Sequence, residues 1–519
     1  MTETTIKPRK ETLDKDLDKL VYVEEATSHV ARGLAAPGLA LLFLALASVF
    51  AGFYVFGEPG AVVIIAAATV GAYMALNIGA NDVANNVGPA VGARAMTLGF
   101  ALLIAAIFES AGALIAGGDV VETISRGIIA PEAVGDPGVF IRAMLAALLS
   151  SALWVHLATW IGAPVSTTHA VVGGVVGAGI AAAGLSSVNW PMMAQIAASW
   201  VVSPLIGGVV AAIFLAFIKT MIIYQDDKIA SARRWVPLLI AIMAGSFTAY
   251  LVMKGLRQVL HVSNGAVVFL GLAAFALSWA ISHFQVRRQS EGMENRNQSL
   301  RRLFNLPLII SAALLSFAHG ANDVANAVGP LAAIVSAAQA NTVSAEVFIP
   351  PWVMIIGAIG ISLGLLLFGP KLIRMVGEQI TKLNPMRAFC VALSAALTVI
   401  IASALGLPIS STHTAVGAVF GVGFFREWYT ANSKRRRAYI ERKYSVRNGS
   451  KDKSGKRSEA ARKTKDNEKR GAGLSREEII RRKLVRRAHV RTIVAAWVLT
   501  VPASAALAAV VFLLLDAFA

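Results

Sequence analysis

The chain has 519 residues, 56% of them hydrophobic and only 15% charged, with 44 glycines and a mean hydropathy of +0.64. Such a composition excludes packed soluble domains and places the chain in a bilayer, where small residues let helices approach closely. A net charge of +18 would suit nucleic acid, but residues 426–491 hold 24 of the 48 Lys and Arg against 8 of the 30 Asp and Glu, so the rest of the chain is nearly neutral and no nucleic-acid partner is expected.

Taken in order, residues 1–36 are polar and read as a cytoplasmic segment, and 37–60 hold an extra N-terminal transmembrane helix. No small-residue cleavage pattern follows that helix, so it reads as retained rather than as a signal peptide. A span needs roughly 20 apolar residues. Further candidates centre on 61–78, 97–117, 138–161, 165–183, 193–218, 235–255, 265–284, 304–319, 350–369, 388–406, 409–425 and 492–515, giving 12 to 13 transmembrane helices. The expected fold is therefore an all-α polytopic membrane protein.

Short cytoplasmic loops favour Lys and Arg. Lys219, Lys228, Arg233 and Arg234 mark one such loop, Arg287, Arg288, Arg296, Arg301 and Arg302 a second, and Lys371, Arg374, Lys382 and Arg387 a third. Segments 58–60, 184–192 and 331–349 carry none. This pattern predicts a multi-pass protein of a bacterial inner membrane with its N-terminus cytoplasmic and its C-terminus outside. Cys390 is the single cysteine, which rules out an intrachain disulfide.

The chain repeats itself. GANDVANNVGP at 79–89 returns as GANDVANAVGP at 320–330, and PVSTTHAVVG at 164–173 returns as PISSTHTAVG at 408–417, offsets of 241 and 244. A weaker match pairs Trp200 with Trp497 and leaves a 53-residue insertion in the second half. The reading is a first repeat over 61–218, connecting helices over 219–303, a second repeat over 304–425, a basic insert over 426–491 that composition predicts to be disordered, and a last helix over 492–519. The assigned orientation makes the repeats inverted, the plan of carriers whose site lies at the repeat interface and is built from broken helices or re-entrant hairpins.

Asp82 and Asp323 each fall where an apolar run meets the motif. A membrane carboxylate costs about 2.5 to 3.5 kcal/mol on insertion scales, so a partner is required. Asp82 and Asn85, and equally Asp323 and Asn326, share a helix face, with Asn81 and Asn322 one residue earlier. The flanking Gly79, Gly320, Gly88-Pro89 and Gly329-Pro330 are expected to open the backbone, so that carboxylates and freed carbonyls could hold Na⁺ at Asp82 and Asp323, while the amides donate to an oxyanion. Ser166, Thr167 and Thr168, and their repeats Ser410, Ser411 and Thr412, follow Pro164 and Pro408, which suit a first helical turn. Unpaired N–H groups at a helix start cradle anions. For one isolated Ser-Thr-Thr, bonding to carbonyls one turn back would be the ordinary reading; duplication beside duplicated Asp-Asn pairs favours two cradles around one tetrahedral anion. No metal site beyond Na⁺ and no cofactor is expected.

His169 and His413 repeat and are candidates for proton coupling, set against a packing role. His319 has Ile78 in its place and reads as local structure. Glu109 is a further intramembrane acid and a cation or proton candidate. From Ser475, Ser-Arg-Glu-Glu reads as a capping box opening a basic helix into the last span. The basic insert could meet anionic lipid head groups.

The two duplicated signatures, four motifs in all, together with Phe108-Glu109-Ser110, resemble the inorganic phosphate transporter (PiT) family over roughly residues 61–425 and the last helix. The resemblance implies secondary active symport of phosphate with H⁺ or Na⁺, in some members as a divalent-metal phosphate, on an inverted-repeat fold that forms homodimers. It assigns cation and phosphate binding to Asp82, Asn85, Asp323 and Asn326, and phosphate binding to Ser166, Thr167, Ser410 and Ser411. Some sodium-coupled relatives carry a second glutamate in the later half, where this chain is read as having Ala392. The rivals are a sulfate or other oxyanion permease on the same scaffold and an intramembrane aspartyl protease using Asp82 and Asp323 as its dyad. The hydroxyl motifs have no part in proteolysis, so the chain is read as a carrier rather than an enzyme.

Overall fold

The computed structural model describes residues 34–163, 165–256, 260–343, 347–379, 383–433 and 487–518. The polar N-terminal segment as far as residue 33, Pro164 and most of the basic insert, with its proposed capping box at Ser475, lie outside the described residues. Fifteen helices carry the architecture: α1 (Leu34–Val55), α2 (Ala61–Asn81), α3 (Ala84–Gly92), α4 (Leu98–Ala116), α5 (Pro137–Ile161), α6 (Thr167–Ala183), α7 (Trp190–Ile218), α8 (Lys228–Leu251), α9 (Asn264–Gln289), α10 (Asn305–Asp323), α11 (Ala325–Ala340), α12 (Pro351–Gln379), α13 (Pro385–Ala404), α14 (Ser411–Asn432) and α15 (Arg487–Ala517). Their starts are written in the sequence. Thr97, Asp136, Asn189, Asp227, Ser263 and Asn384 each accept a backbone N–H three residues on, and proline occupies the first turn of α5, α7 and α13. Gly162 ends α5 at φ 77°, a conformation glycine adopts without strain.

Among the described residues, 11 helices are long and apolar enough to cross a membrane, fewer than the 12 to 13 expected. The difference lies in the two helices behind the hydroxyl motifs. Helix α6 has 17 residues, about 25 Å at 1.5 Å per residue and short of a bilayer core of roughly 30 Å. Helix α14 is longer but runs on through Arg426 to Asn432, so the basic stretch begins as helix instead of as an unstructured insert.

The two halves complete each other's core. Helix α2 packs on α12 as α10 packs on α4, and α6 packs on α15 as α14 packs on α7. Each pair joins one helix from either half. The symmetry carries through to single atoms: the Ser110 and Ser362 hydroxyls lie 2.8 Å apart, each also within reach of a carbonyl of the other's helix, Ala358 at 3.4 Å for Ser110 and Ala106 at 2.9 Å for Ser362. Outside this frame, α8 and α9 pair mainly with each other. Helix α1 lies along α2 through Ser48 and Thr69, 2.6 Å apart, and reaches α12 where Tyr54 stacks on Trp352.

The signature glycines act differently from what the sequence predicts. Gly79 and Gly320 sit inside helices, where an added methyl would lie 1.9 Å from the Ile361 carbonyl oxygen and 2.1 Å from that of Glu109. They permit backbone contact between the halves and do not unwind the chain. The helices break instead at Asp82-Val83 and at Val324. There the bonding tightens to three-residue spacing, with Asn85 N–H donating to the Asp82 carbonyl at 3.0 Å and Ala327 N–H to that of Val324 at 3.1 Å. Pro89 and Pro330 lie within the following helices and, lacking an N–H, leave the Asn85 and Asn326 carbonyls without their usual acceptor role.

Candidate functional site

The two breaks meet. A carboxylate oxygen of Asp82, one of Asp323 and a ring nitrogen of His319 all lie within 4.8 Å of one another, and all three side chains are buried. Helices α2 and α10 end on these aspartates, which puts each carboxylate at a helix break facing the opposite half.

Around the aspartates the hydroxyl motifs close from both sides. Thr167 donates its hydroxyl to Asp82 at 2.6 Å and Ser411 donates to Asp323 at 2.9 Å, the same bond at the 244 offset. Contacts also cross between halves: Thr412 donates to Asp82 at 3.0 Å, and the Asn85 amide donates to Thr412 at 2.9 Å. Asn326 correspondingly donates to Thr167 and Thr168 at 3.1 and 3.2 Å. Asp82, Asn85, Asp323, Asn326, Thr167, Thr168, Ser411 and Thr412 thus form one buried polar cluster, at the starts of α6 and α14. Two carboxylates this close in a water-poor interior repel strongly unless a positive charge stands between them. Hydroxyls, amides and two helix N-termini supply donors for an anion beside it.

Other predicted residues stand one step back. Ser166 and Ser410 are the N-caps of α6 and α14, accepting from His169 N–H at 3.2 Å and His413 N–H at 3.1 Å. Pro408 accordingly lies two residues before the cap and not in the first helical turn. The amides of Asn81 and Asn322 brace the hydroxyl loops: Asn81 donates to Thr159 and the Ala163 carbonyl, Asn322 to Ser403 and the Leu407 carbonyl. Thr159 and Ser403 also sit 244 apart, a signal in the sequence that the motif comparison passed over.

His169 and His413 face each other edge-on with ring centroids 4.3 Å apart. Trp200 lies 3.9 Å from the first and Trp497 3.6 Å from the second. The weak tryptophan match therefore marks a four-ring stack that joins the two hydroxyl turns, with Trp200 also donating to the Pro408 carbonyl at 3.1 Å.

One sequence reading changes. His319 is no incidental residue: its ring bridges Glu109, 2.6 Å from Nδ1, and Asp323, 2.7 Å from Nε2. The paired close approaches, Gly320 to Glu109 and Gly79 to Ile361, place Ile361 on α12 where Glu109 stands on α4.

With this geometry established, similarity to known proteins decides the family. The profile of the phosphate transporter family matches residues 78–508, which takes in both signatures, both hydroxyl motifs and most of the last helix. The chain belongs to the phosphate transporter family. A Helicobacter pylori (strain J99) protein named "Putative phosphate permease" is 45% identical over 526 residues, covering 95% of this chain and 97% of its own. A Pyrococcus abyssi phosphate permease of the same designation is 40% identical over 361 residues, covering 69% and 87%. A solved structure described as the sodium-dependent phosphate transporter superposes with a TM-score of 0.74 at 34% identity, covering 88% of this chain and all of the other. The family is one of transporters, not enzymes, so the aspartyl protease reading falls. Phosphate transport by a multi-pass membrane protein is the family's activity, and the chain carries the helices for it.

Proposed function

We propose that this member of the phosphate transporter family is a secondary symporter that carries inorganic phosphate together with H⁺ or Na⁺ by alternating access. One observation carries the reading: both aspartates, both asparagines and the hydroxyls of both motifs converge on a single buried cluster to which each half contributes symmetrically. In this reading the aspartate cluster holds the cation beside the phosphate. The hydroxyls of Thr167, Thr168, Ser411 and Thr412, with the amides of Asn85 and Asn326, turn from their present acceptors to phosphate oxygens. Ser166 and Ser410 hold the helix starts that aim them. The halves are inverted repeats, the cluster lies near mid-membrane, and both signature helices enter from opposite faces, with the N-terminus cytoplasmic.

Reconstituted protein under separately imposed Na⁺ and pH gradients tests the proposal. Uptake of labelled phosphate under at least one gradient is expected, and no uptake under either would refute it. A sulfate or other oxyanion permease on the same scaffold is the second reading. Phosphate near neutral pH keeps a proton that a carboxylate accepts, whereas sulfate offers none to the two aspartates. Excess sulfate is therefore expected to leave phosphate uptake largely intact.

A further inference from the structure

Almost every polar group of the site occurs twice, and the exceptions are three residues bonded to one another. Asn86 donates to Glu109 at 2.8 Å, Glu109 meets His319 at 2.6 Å, and His319 meets Asp323 at 2.7 Å. Glu109 and His319 have no solvent exposure at all. Their counterparts in the other half are Ala327 for Asn86, Ile361 for Glu109 and Ile78 for His319. The same helix packing is thus built twice, with a hydrogen-bonded chain between α4 and α10 and with isoleucines at the corresponding positions of α12 and α2.

A buried ion pair is seldom kept for stability, since a well-packed apolar replacement is commonly as stable or more so. This chain itself contains the apolar version. The polar version also changes one aspartate only. Asp82 accepts from the Thr167 and Thr412 hydroxyls and, at 3.4 Å, from the Thr167 N–H. Asp323 shares one oxygen between Ser411 and His319, while its Oδ1 has no hydrogen-bond partner among the described residues.

We infer that His319 is a positioning residue that ties Asp323 to Glu109 across the boundary between the halves, giving the two aspartates different tasks. Asp323, with its open oxygen, takes the coupling cation, and Asp82, saturated by hydroxyls of both turns, belongs to the phosphate side. Cation binding at Asp323 is then relayed through His319 to α4, which is how occupancy reaches the helix packing that must change during transport. This inference rests on the symport reading above and deepens it.

The chain supplies its own test. The double variant E109I/H319I copies Ile361 and Ile78 into the corresponding positions of the other half. It is measured in proteoliposomes beside wild type, with the cation that drives wild-type uptake varied at fixed phosphate and phosphate varied at saturating cation. The expected result is a melting temperature equal to or above wild type, a phosphate KM within about threefold, a maximal rate down at least about tenfold and a half-saturating cation concentration up at least about tenfold. Wild-type rate and cation dependence in the double variant would overturn the inference.

Should the double variant not fold, H319Q and H319I decide the matter. Glutamine keeps an N–H donor that can reach one of the two carboxylates, so H319Q is expected to retain part of the cation response that H319I loses; equal behaviour of the two would also overturn the inference. The aspartates give a second readout, with D323N expected to shift cation dependence and D82N phosphate KM; identical effects of both would count against the division of tasks. Wild-type protein that takes up no phosphate under either gradient would defeat the symport reading itself, an outcome distinct from active wild type with an unaltered double variant.

Discussion

The hydroxyl motifs contain two kinds of residue that look alike in sequence. Thr412 serves Asp82 and Asn85 at once, across the halves. A hydrogen bond to a charged group contributes about 1.5 to 3 kcal/mol to stability, so Thr412→Ala, which leaves buried Asp82 and Asn85 short of a partner, is expected to lower the melting temperature and to weaken phosphate transport, seen as a raised KM or lowered rate in uptake assays. Ser166 and Ser410 instead cap helices. Ser166→Ala and Ser410→Ala should each cost about 1 kcal/mol of stability, read as a lowered melting temperature that the corresponding threonine substitutions largely restore. The pattern Ser-Thr-Thr announces a donor cluster but cannot say which hydroxyl turns back to its own helix. His319 shows the opposite limit: with isoleucine at the repeated position it looked dispensable, and its role follows only from Glu109 lying on the facing helix.

At the level of helices, the signature glycines govern how closely the halves meet. Gly79→Ala and Gly320→Ala would each place a methyl about 2 Å from a partner carbonyl, well inside contact distance. Overpacking of this kind typically costs about 1 to 3 kcal/mol and can cost more, so both variants should melt markedly lower in detergent and lose uptake. Gly99→Ala is the control, because nothing lies within 4 Å of that position and it falls in a helix. Alanine is the better helix former by about 1 kcal/mol, so Gly99→Ala should match or exceed wild-type stability. If Gly79→Ala melts like Gly99→Ala, the helices are not in backbone contact there. Glycine in a membrane motif is compatible with unwinding or with close packing, and only the facing Ile361 and Glu109 carbonyls distinguish the two.

Across the whole molecule, the proposed inversion makes a topological prediction. A cysteine at Ser186, an exposed position between α6 and α7, should react with an impermeant maleimide in intact cells. One at Glu291, exposed just after α9, should react only after the cells are opened. The buried Cys390 gives a silent background. Labelling of both from the same side would refute the assigned orientation and, with it, the inverted arrangement.

Sequence alone determined the membrane class, the helical fold, the duplicated motifs and which polar residues they carry, because apolar runs, helix caps and repeats are local properties written along the chain. The 11 described helices that are long and apolar enough to cross differ from the expected 12 to 13 at α6, whose 17 residues lie at the lower limit for a span, and at α14. The tertiary structure decided what depends on neighbours from the other half: that Asp82 and Asp323 lie in one buried cluster, that Gly79 and Gly320 serve contact, and that Ile361 meets Gly79 as Glu109 meets Gly320. Those relations join residues some 250 positions apart, and no local pattern encodes which side chain will face a carboxylate once two helices have packed.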